Sequence, residues 1–249
     1  MTALDQIQEA CELGQQALME TDYLRAARIL GDAESRAWDQ RDFDALARLY
    51  MPLQEARRQR RQRCGEGEVR LDLWAQSPAD RLDGREVVEN YPFGQLLVAG
   101  WASIEPARQA RRLAEEHGLY VEIFLGAVYP TAEGPAIVVV PVEDEALPTA
   151  RVGSIAELRQ VLPASCLVFR EDEIPSGSRT GTAQTFSEVM ALWERLHTPF
   201  LAAADAEGDL VRKIEAYRKT IRVDYACELA HQRLADVARS MARRKRAGR

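Results

Sequence analysis

The chain has 249 residues, 46% of them hydrophobic and 29% charged, with a formal net charge of −6. That is enough apolar material for one large or two to three small domains, and the negative balance excludes a chain that binds nucleic acid as a polycation along its whole length. The start, MTALDQIQEACELG, carries acids early and lacks an apolar signal core. No uncharged apolar run approaches the ~20 residues a bilayer needs, so the expected setting is cytoplasmic, with no membrane partner.

The first segment, residues 1–63, is rich in Ala, Leu, Gln, Arg and Glu. Its apolar residues recur at helical spacing: Leu4, Ile7, Cys11, Leu13 and Leu18, then Leu24, Ala27 and Leu30, then Leu46, Leu49 and Leu53. Asp22 and Asp42 each precede such a run and can cap the free amides of a helix start. Three helices are predicted, over 3–20, 23–39 and 43–63, with short links that force neighbours to run antiparallel.

Cys64-Gly-Glu-Gly67 closes that segment, and residues 68–175 follow another pattern. Val69–Trp74 alternates apolar and polar residues, as a half-buried strand does. The runs 96–101 and 136–142 are continuously apolar, as central strands are, and 120–125 and 166–169 complete five strands. Between them, 104–117 reads as a helix closed by Gly118, and 154–162 as one capped by Ser154 with Glu157 at the capping-box position. From Leu96 onward the succession is βαββαβ, which predicts a ferredoxin-like sheet with both helices on one face. Helices over 185–206, 209–223 and 225–244 fill the last segment, 185–249. The fold class expected is therefore α+β: a central sheet domain flanked by N- and C-terminal helical hairpins.

The last segment resembles the tetratricopeptide repeat. Gly208-Asp209 forms a turn, Tyr217 falls where that family's second helix places its aromatic, and Asp224-Tyr225 falls at the family's Asp-Pro break. Leu234-Ala235 then takes the place of the next Leu-Gly pair, while Lys213 and Thr220 stand where small alanines are usual. Leu13-Gly14, Ala26, Leu30 and Ala33 fall in the same register at the other end of the chain, with Ala17 replacing an aromatic and Trp38 a proline. Small residues let paired helices approach closely while an aromatic fills the groove between them. Each arm is too short to stand as a solenoid, so the arms are expected to pack together, or against the sheet, as one helical unit. A generic αα-hairpin is the competing reading. The resemblance implies partner binding through a groove, with Gln232, Asp236 and Arg239 on the matching face of the closing helix. The central segment carries no family's signature.

Few residues suggest chemistry. The cysteines Cys11, Cys64, Cys166 and Cys227 form no CxxC pair and read as reduced, core-filling thiols. His117 sits at a predicted helix end, where an imidazolium is favoured. His197 and His231 have no Asp or Cys at metal-ligand spacing, which leaves only a site assembled through space. No metal, cofactor or catalytic residue is predicted. The loop 176–182 reads as a flexible linker more readily than as a phosphate cradle. The acidic runs 143–145 and 171–173 read as solvated strand ends rather than a cation site.

Two basic clusters remain. One is Arg57, Arg58, Arg60, Arg61 and Arg63. The other runs over 239–249, with Arg239, Arg243, Arg244, Lys245, Arg246 and Arg249. A helix C-terminus favours cations by ~0.3–1 kcal/mol, too little to explain five arginines in seven residues. They read as solvated faces or as contacts to an acidic protein surface or a second copy. Without interleaved aromatics, nucleic acid is the less favoured partner. The expectation is a non-catalytic protein-binding adaptor, assembly or regulatory factor. One alternative is an enzyme with a pocket between sheet and helical arms, using Glu122, Tyr129 and Arg170. The other is a nucleic-acid accessory protein acting through the arginine clusters.

Overall fold

The computed structural model describes residues 3–145, 147–148 and 152–247, with side chains from residue 6 onward. In chain order the elements are α1 (Ala3–Met19), α2 (Tyr23–Asp39), α3 (Phe43–Gly65), β1 (Glu68–Trp74), α4 (Gly84–Asn90), β2 (Gly94–Trp101), α5 (Glu105–Glu116), β3 (Val121–Thr131), β4 (Gly134–Val140), α6 (Ile155–Val161), β5 (Leu167–Arg170), β6 (Arg179–Thr180), α7 (Ala183–Ala206), α8 (Leu210–Val223) and α9 (Glu228–Ala247). The protein is of mixed α+β class, with a six-stranded mixed sheet between N- and C-terminal helices. The chain divides into two compact units, residues 1–61 with 197–249, and residues 62–196.

In the first unit the predicted helices form where the apolar spacing places them. Two turns repeat one design. α1 ends with Thr21 at φ 60° and α2 with Arg41 at φ 52°. In each, the next residue is an aspartate whose amide bonds back five residues: Asp22 to the Ala17 carbonyl and Asp42 to the Ala37 carbonyl, both at 2.9 Å. Asp22 and Asp42 then cap the following helices, accepting from the amides of Arg25 and Ala45 at 3.2 and 3.0 Å. The left-handed residue reverses the chain, and the carboxylate occupies an otherwise free amide. α3 and α7 continue through Pro52 and Pro199.

The two helical arms do pack together. Leu30, Ala33, Leu46, Leu49 and Leu53 share one buried cluster with Ile214, Tyr217, Ala230, Leu234 and Ala238. Gly14 shows how closely α1 and α2 approach, since a Cβ there would lie 2.5 Å from Leu30 Cγ. Tyr217 is buried, with its hydroxyl donating to Asp205 at 2.7 Å.

The second unit holds the sheet, in the order β5-β4-β3-β2-β1-β6. β1, β2 and β3 run parallel, while β4, β5 and β6 each pair antiparallel with their neighbour. The βαββαβ succession from Leu96 is present, but the ferredoxin-like strand order is not. In a split motif another strand separates the two joined by the crossover helix, whereas here α5 connects β2 to its immediate neighbour β3. Because β2 already holds one edge of β3, the β3–β4 hairpin folds back along the other edge instead of inserting β4 between β2 and β3. β3 continues past Gly126 to Thr131, and β4 folds directly back on it. Gly126 permits this continuation, because a Cβ there would sit 2.7 Å from the Ala99 Cβ.

α4, α5 and α6 cover one face of the sheet, burying Val88, Ala107, Ala110 and Leu158 against Leu96, Ile123, Leu125 and Val138. On the opposite face, Trp193 of α7 stacks on Phe124 with centroids 4.2 Å apart. The expected flexible linker 176–182 is instead tied down. The Gly177 amide donates to Asp72 at 2.7 Å, β6 pairs with the start of β1, and the Gly181 amide donates to the Gly67 carbonyl at 2.8 Å. The Gly177 and Gly181 amides are therefore already engaged.

Candidate functional site

Several polar groups of the helical unit lie in its interior. α2 contributes Glu34, whose carboxylate takes Arg218 of α8 at 2.7 and 3.2 Å and the hydroxyl of the buried Tyr50 from α3. Trp38 meets two guanidiniums, Arg41 at 4.0 Å and Arg218 at 4.9 Å from its ring centre. One helical turn along α3 from Leu53, Arg57 meets the Nε2 of the fully buried His231 at 3.1 Å. The Nδ1 of that histidine lies 2.8 Å from the carbonyl of Cys227. Burial, reinforced by the charge of Arg57, pushes the pKa of His231 down to about 3, so this imidazole is neutral.

One more turn along α3 places Arg61, which is 3% exposed, against Asp224, which is fully buried, at 2.7 Å. Asp224 caps the end of α8, and its carboxylate also accepts from the Ala226 amide at 3.1 Å. Its second oxygen faces His197 Nδ1 at 2.6 Å. Burial alone would raise the pKa of Asp224, but the charge of Arg61 and the bonds from His197 and Arg61 outweigh it. They hold the carboxyl well below the usual range. Burial pulls His197 down, and its hydrogen bonds to Asp224 and Cys227 outweigh that and raise its pKa to about 9. His197 is therefore an imidazolium at neutral pH. The buried thiol of Cys227 completes the group: one donor atom each from His197, Asp224 and Cys227 lies within 4.8 Å of the other two.

The sequence left room only for a site assembled through space, and His197, Asp224 and Cys227 are the residues that lie together in this way. His197 lies 27 positions before Asp224, so no local motif announces it. The available hint was the pairing of a polar Asp-Tyr break with a cysteine two residues later, ahead of a helix.

The arginine cluster 57–63 is likewise not a continuous basic face. Arg57 and Arg61 belong to the interior network. Arg58 bonds Glu55 at 2.8 Å, and Arg60 stacks on Tyr225 at 4.9 Å. Arg63, in the other unit, pairs with Glu66 at 2.6 Å. Helical periodicity explains the dense repeat: positions 57 and 61 turn inward while 58, 60 and 63 lie on other sides. On α9 the predicted residues Gln232, Asp236 and Arg239 are exposed on one face, with Arg239 paired to Asp236. Arg243, Arg244 and Lys245 are exposed, Arg246 reaches Asp44 at 2.7 Å, and Arg249 lies outside the described residues.

In the sheet unit, Glu122, Tyr129 and Arg170 do not meet. Glu122 is buried on the α7 side, accepting from Gln95 at 2.6 Å. Tyr129 belongs to the opposite face, where its hydroxyl donates to the Pro148 carbonyl at 2.9 Å. Arg170 is held at the end of β5 by Asp172. The acidic runs are similarly engaged, Glu143 by Arg111 at 3.7 Å and Glu173 by the Arg170 amide at 2.7 Å. A cavity of about 190 Å³ opens between α4 and α5, lined by Val88, Leu113 and Leu119 with Arg85, Glu89 and His117. Among the described residues no helix is long and apolar enough to cross a membrane.

Set against known proteins, the chain finds no matching family model, no matching curated protein and no matching solved structure.

Proposed function

We propose that this protein is a non-catalytic adaptor, assembly or regulatory factor that binds another protein, or a second copy of itself, through its tetratricopeptide-like helices. The observation that carries this reading is the fusion of the two hairpins into one core, locked from inside by Arg61–Asp224 and Glu34–Arg218. A scaffold locked in this way presents its outer helix faces already ordered, which removes part of the entropic cost of association. Those faces carry the large apolar side chains Leu13, Met19, Met51 and Leu229, each at least 40% exposed. They also carry the Gln232, Asp236 and Arg239 row of α9. Exposed apolar groups beside polar ones are the composition of an interface rim and core.

The test is affinity purification from native lysate with the wild-type chain and a variant carrying Gln232→Ala, Asp236→Arg and Arg239→Asp. A protein recovered in near-stoichiometric yield with the first and lost with the second is the expected outcome. A clean monomer that carries a small metabolite and no protein would overturn the reading. Filter binding at low salt should retain neither RNA nor DNA, because the interior arginines are already engaged.

A further inference from the structure

We propose that His197, Asp224 and Cys227 form a binding site for a divalent transition-metal ion of the zinc class. The three side chains come from two places. α7 supplies the imidazole, and the turn between α8 and α9 supplies the carboxylate and the thiol. Their donor atoms are one nitrogen, one oxygen and one sulfur, all within 4.8 Å of one another. That donor set suits a borderline-soft ion and disfavours magnesium or calcium, which take oxygen ligands. Zinc bonds of about 2.0–2.3 Å place tetrahedral ligands about 3.3–3.8 Å apart, so the set closes on an ion with side-chain movements of about an ångström.

The surroundings fit this role. Arg61 occupies Oδ1 of Asp224, and Oδ2 is the oxygen that faces His197. Arg61 then orients the ligating carboxylate from outside, as partners behind metal ligands do. On binding, the thiol and the imidazolium each give a proton to solvent, leaving a thiolate, a carboxylate and a neutral imidazole around the ion. The charges of thiolate and carboxylate balance the divalent ion, and Arg61 retains its pairing with Asp224. The His197 side chain is 13% exposed, the most open of the three, and marks where water takes the fourth position.

The experiment is titration of the metal-free full-length chain with Co²⁺, followed by visible and near-ultraviolet absorption. The expected result is one ion per chain, with a thiolate-to-cobalt band and tetrahedral ligand-field bands that Zn²⁺ abolishes. Cys227→Ser should remove the thiolate band while circular dichroism stays native. If that variant does not fold, Cys11→Ser, Cys64→Ala and Cys166→Ser carry the test. Retention of the band in all three assigns it to Cys227, and its loss in any one of them overturns the proposal. Absence of the band in the folded wild type, or its survival in a folded Cys227→Ser chain, would also overturn it.

Discussion

The two units solve the problem of a stable interior in opposite ways. The sheet unit buries almost uniform apolar surface: Leu96, Val98, Ile123, Leu125 and Val138 against α4–α6, and Phe124 against Trp193. Among the described residues its buried polar side chains are few: the bonded pair Gln95–Glu122, and Thr185 in the turn that starts α7. The helical unit is built from slender, alanine-rich helices and threads Glu34, Arg61, Asp224 and His231 through its core. Branched strands fill space and need no charges to specify their register. Alanine-lined helices slide more freely, and we read the ion pairs as what fixes their alignment, since buried polar groups act best as register devices.

The largest effects should test that contrast directly. Arg61→Met leaves the buried Asp224 carboxylate with only the Ala226 amide and His197 to satisfy it, and should cost about 3–5 kcal/mol. Phe124→Ala should cost a similar ~3–5 kcal/mol through its cavity. The two should differ in rescue. Phe124→Leu recovers much of the loss, whereas no uncharged residue at position 61 does. Chemical denaturation of Arg61→Met, Phe124→Ala and Phe124→Leu measures this, and wild-type stability of the Arg61→Met chain would erase the contrast.

Acid comes next. His231 has a folded pKa of about 3 and an ordinary value of 6.5. Between those values the unfolded chain binds the extra proton, so the contribution of His231 should be lost as pH drops below about 6.5 and be exhausted near 3, while Asp224 adds its own loss below the ordinary carboxyl range. The loss should appear in amide exchange of α8 and α9, measured with a chelator present, and His231→Gln should flatten it. Equal acid sensitivity in β3 would contradict a site confined to the helical unit.

A smaller effect is expected at the bonded polar pair of the sheet unit. Replacing both Gln95 and Glu122 by Leu removes donor and acceptor together, so the change should stay within about 1.5 kcal/mol. The smallest is Thr21→Gly. A β-branched residue in the left-handed region is strained by about 1 kcal/mol, and glycine relieves it at the expense of a more flexible unfolded chain. The net gain should be a few tenths of a kcal/mol, read as a slightly raised Tm.

Much of the fold was legible in the sequence because its signals are local. The apolar spacing of Leu24, Ala27 and Leu30, the caps at Asp22, Asp42, Ser154 and Asp209, and the apolar runs of β2 and β4 each act within a few residues. The break at Asp224 likewise marks the end of α8. What could not be read depends on distant partners. Strand order is settled by which edges meet, so the βαββαβ succession alone permitted a split sheet that does not form. β6 has two residues, pairs only with Glu68 and Val69, and is too short to register as a pattern. α4, with seven residues, is similarly brief. The arginines at 57 and 61 look identical to those at 58 and 60 until Asp224 and His231 arrive from more than 150 positions away.

The sheet's borders carry a consequence for how copies of this chain can meet. Its outermost strands are β5, four residues long, and β6, two residues long. Beyond β6, Gly177 turns its amide onto Asp72 rather than outward. β5 and β6 are themselves too short to offer a long ladder of free amides and carbonyls, and Gly177 lies against Asp72 on the part of β1 that β6 leaves unpaired. Edge-to-edge polymerisation is thereby discouraged, and recognition by strand addition has little to build on. We therefore expect contacts between molecules to use side chains rather than main-chain pairing.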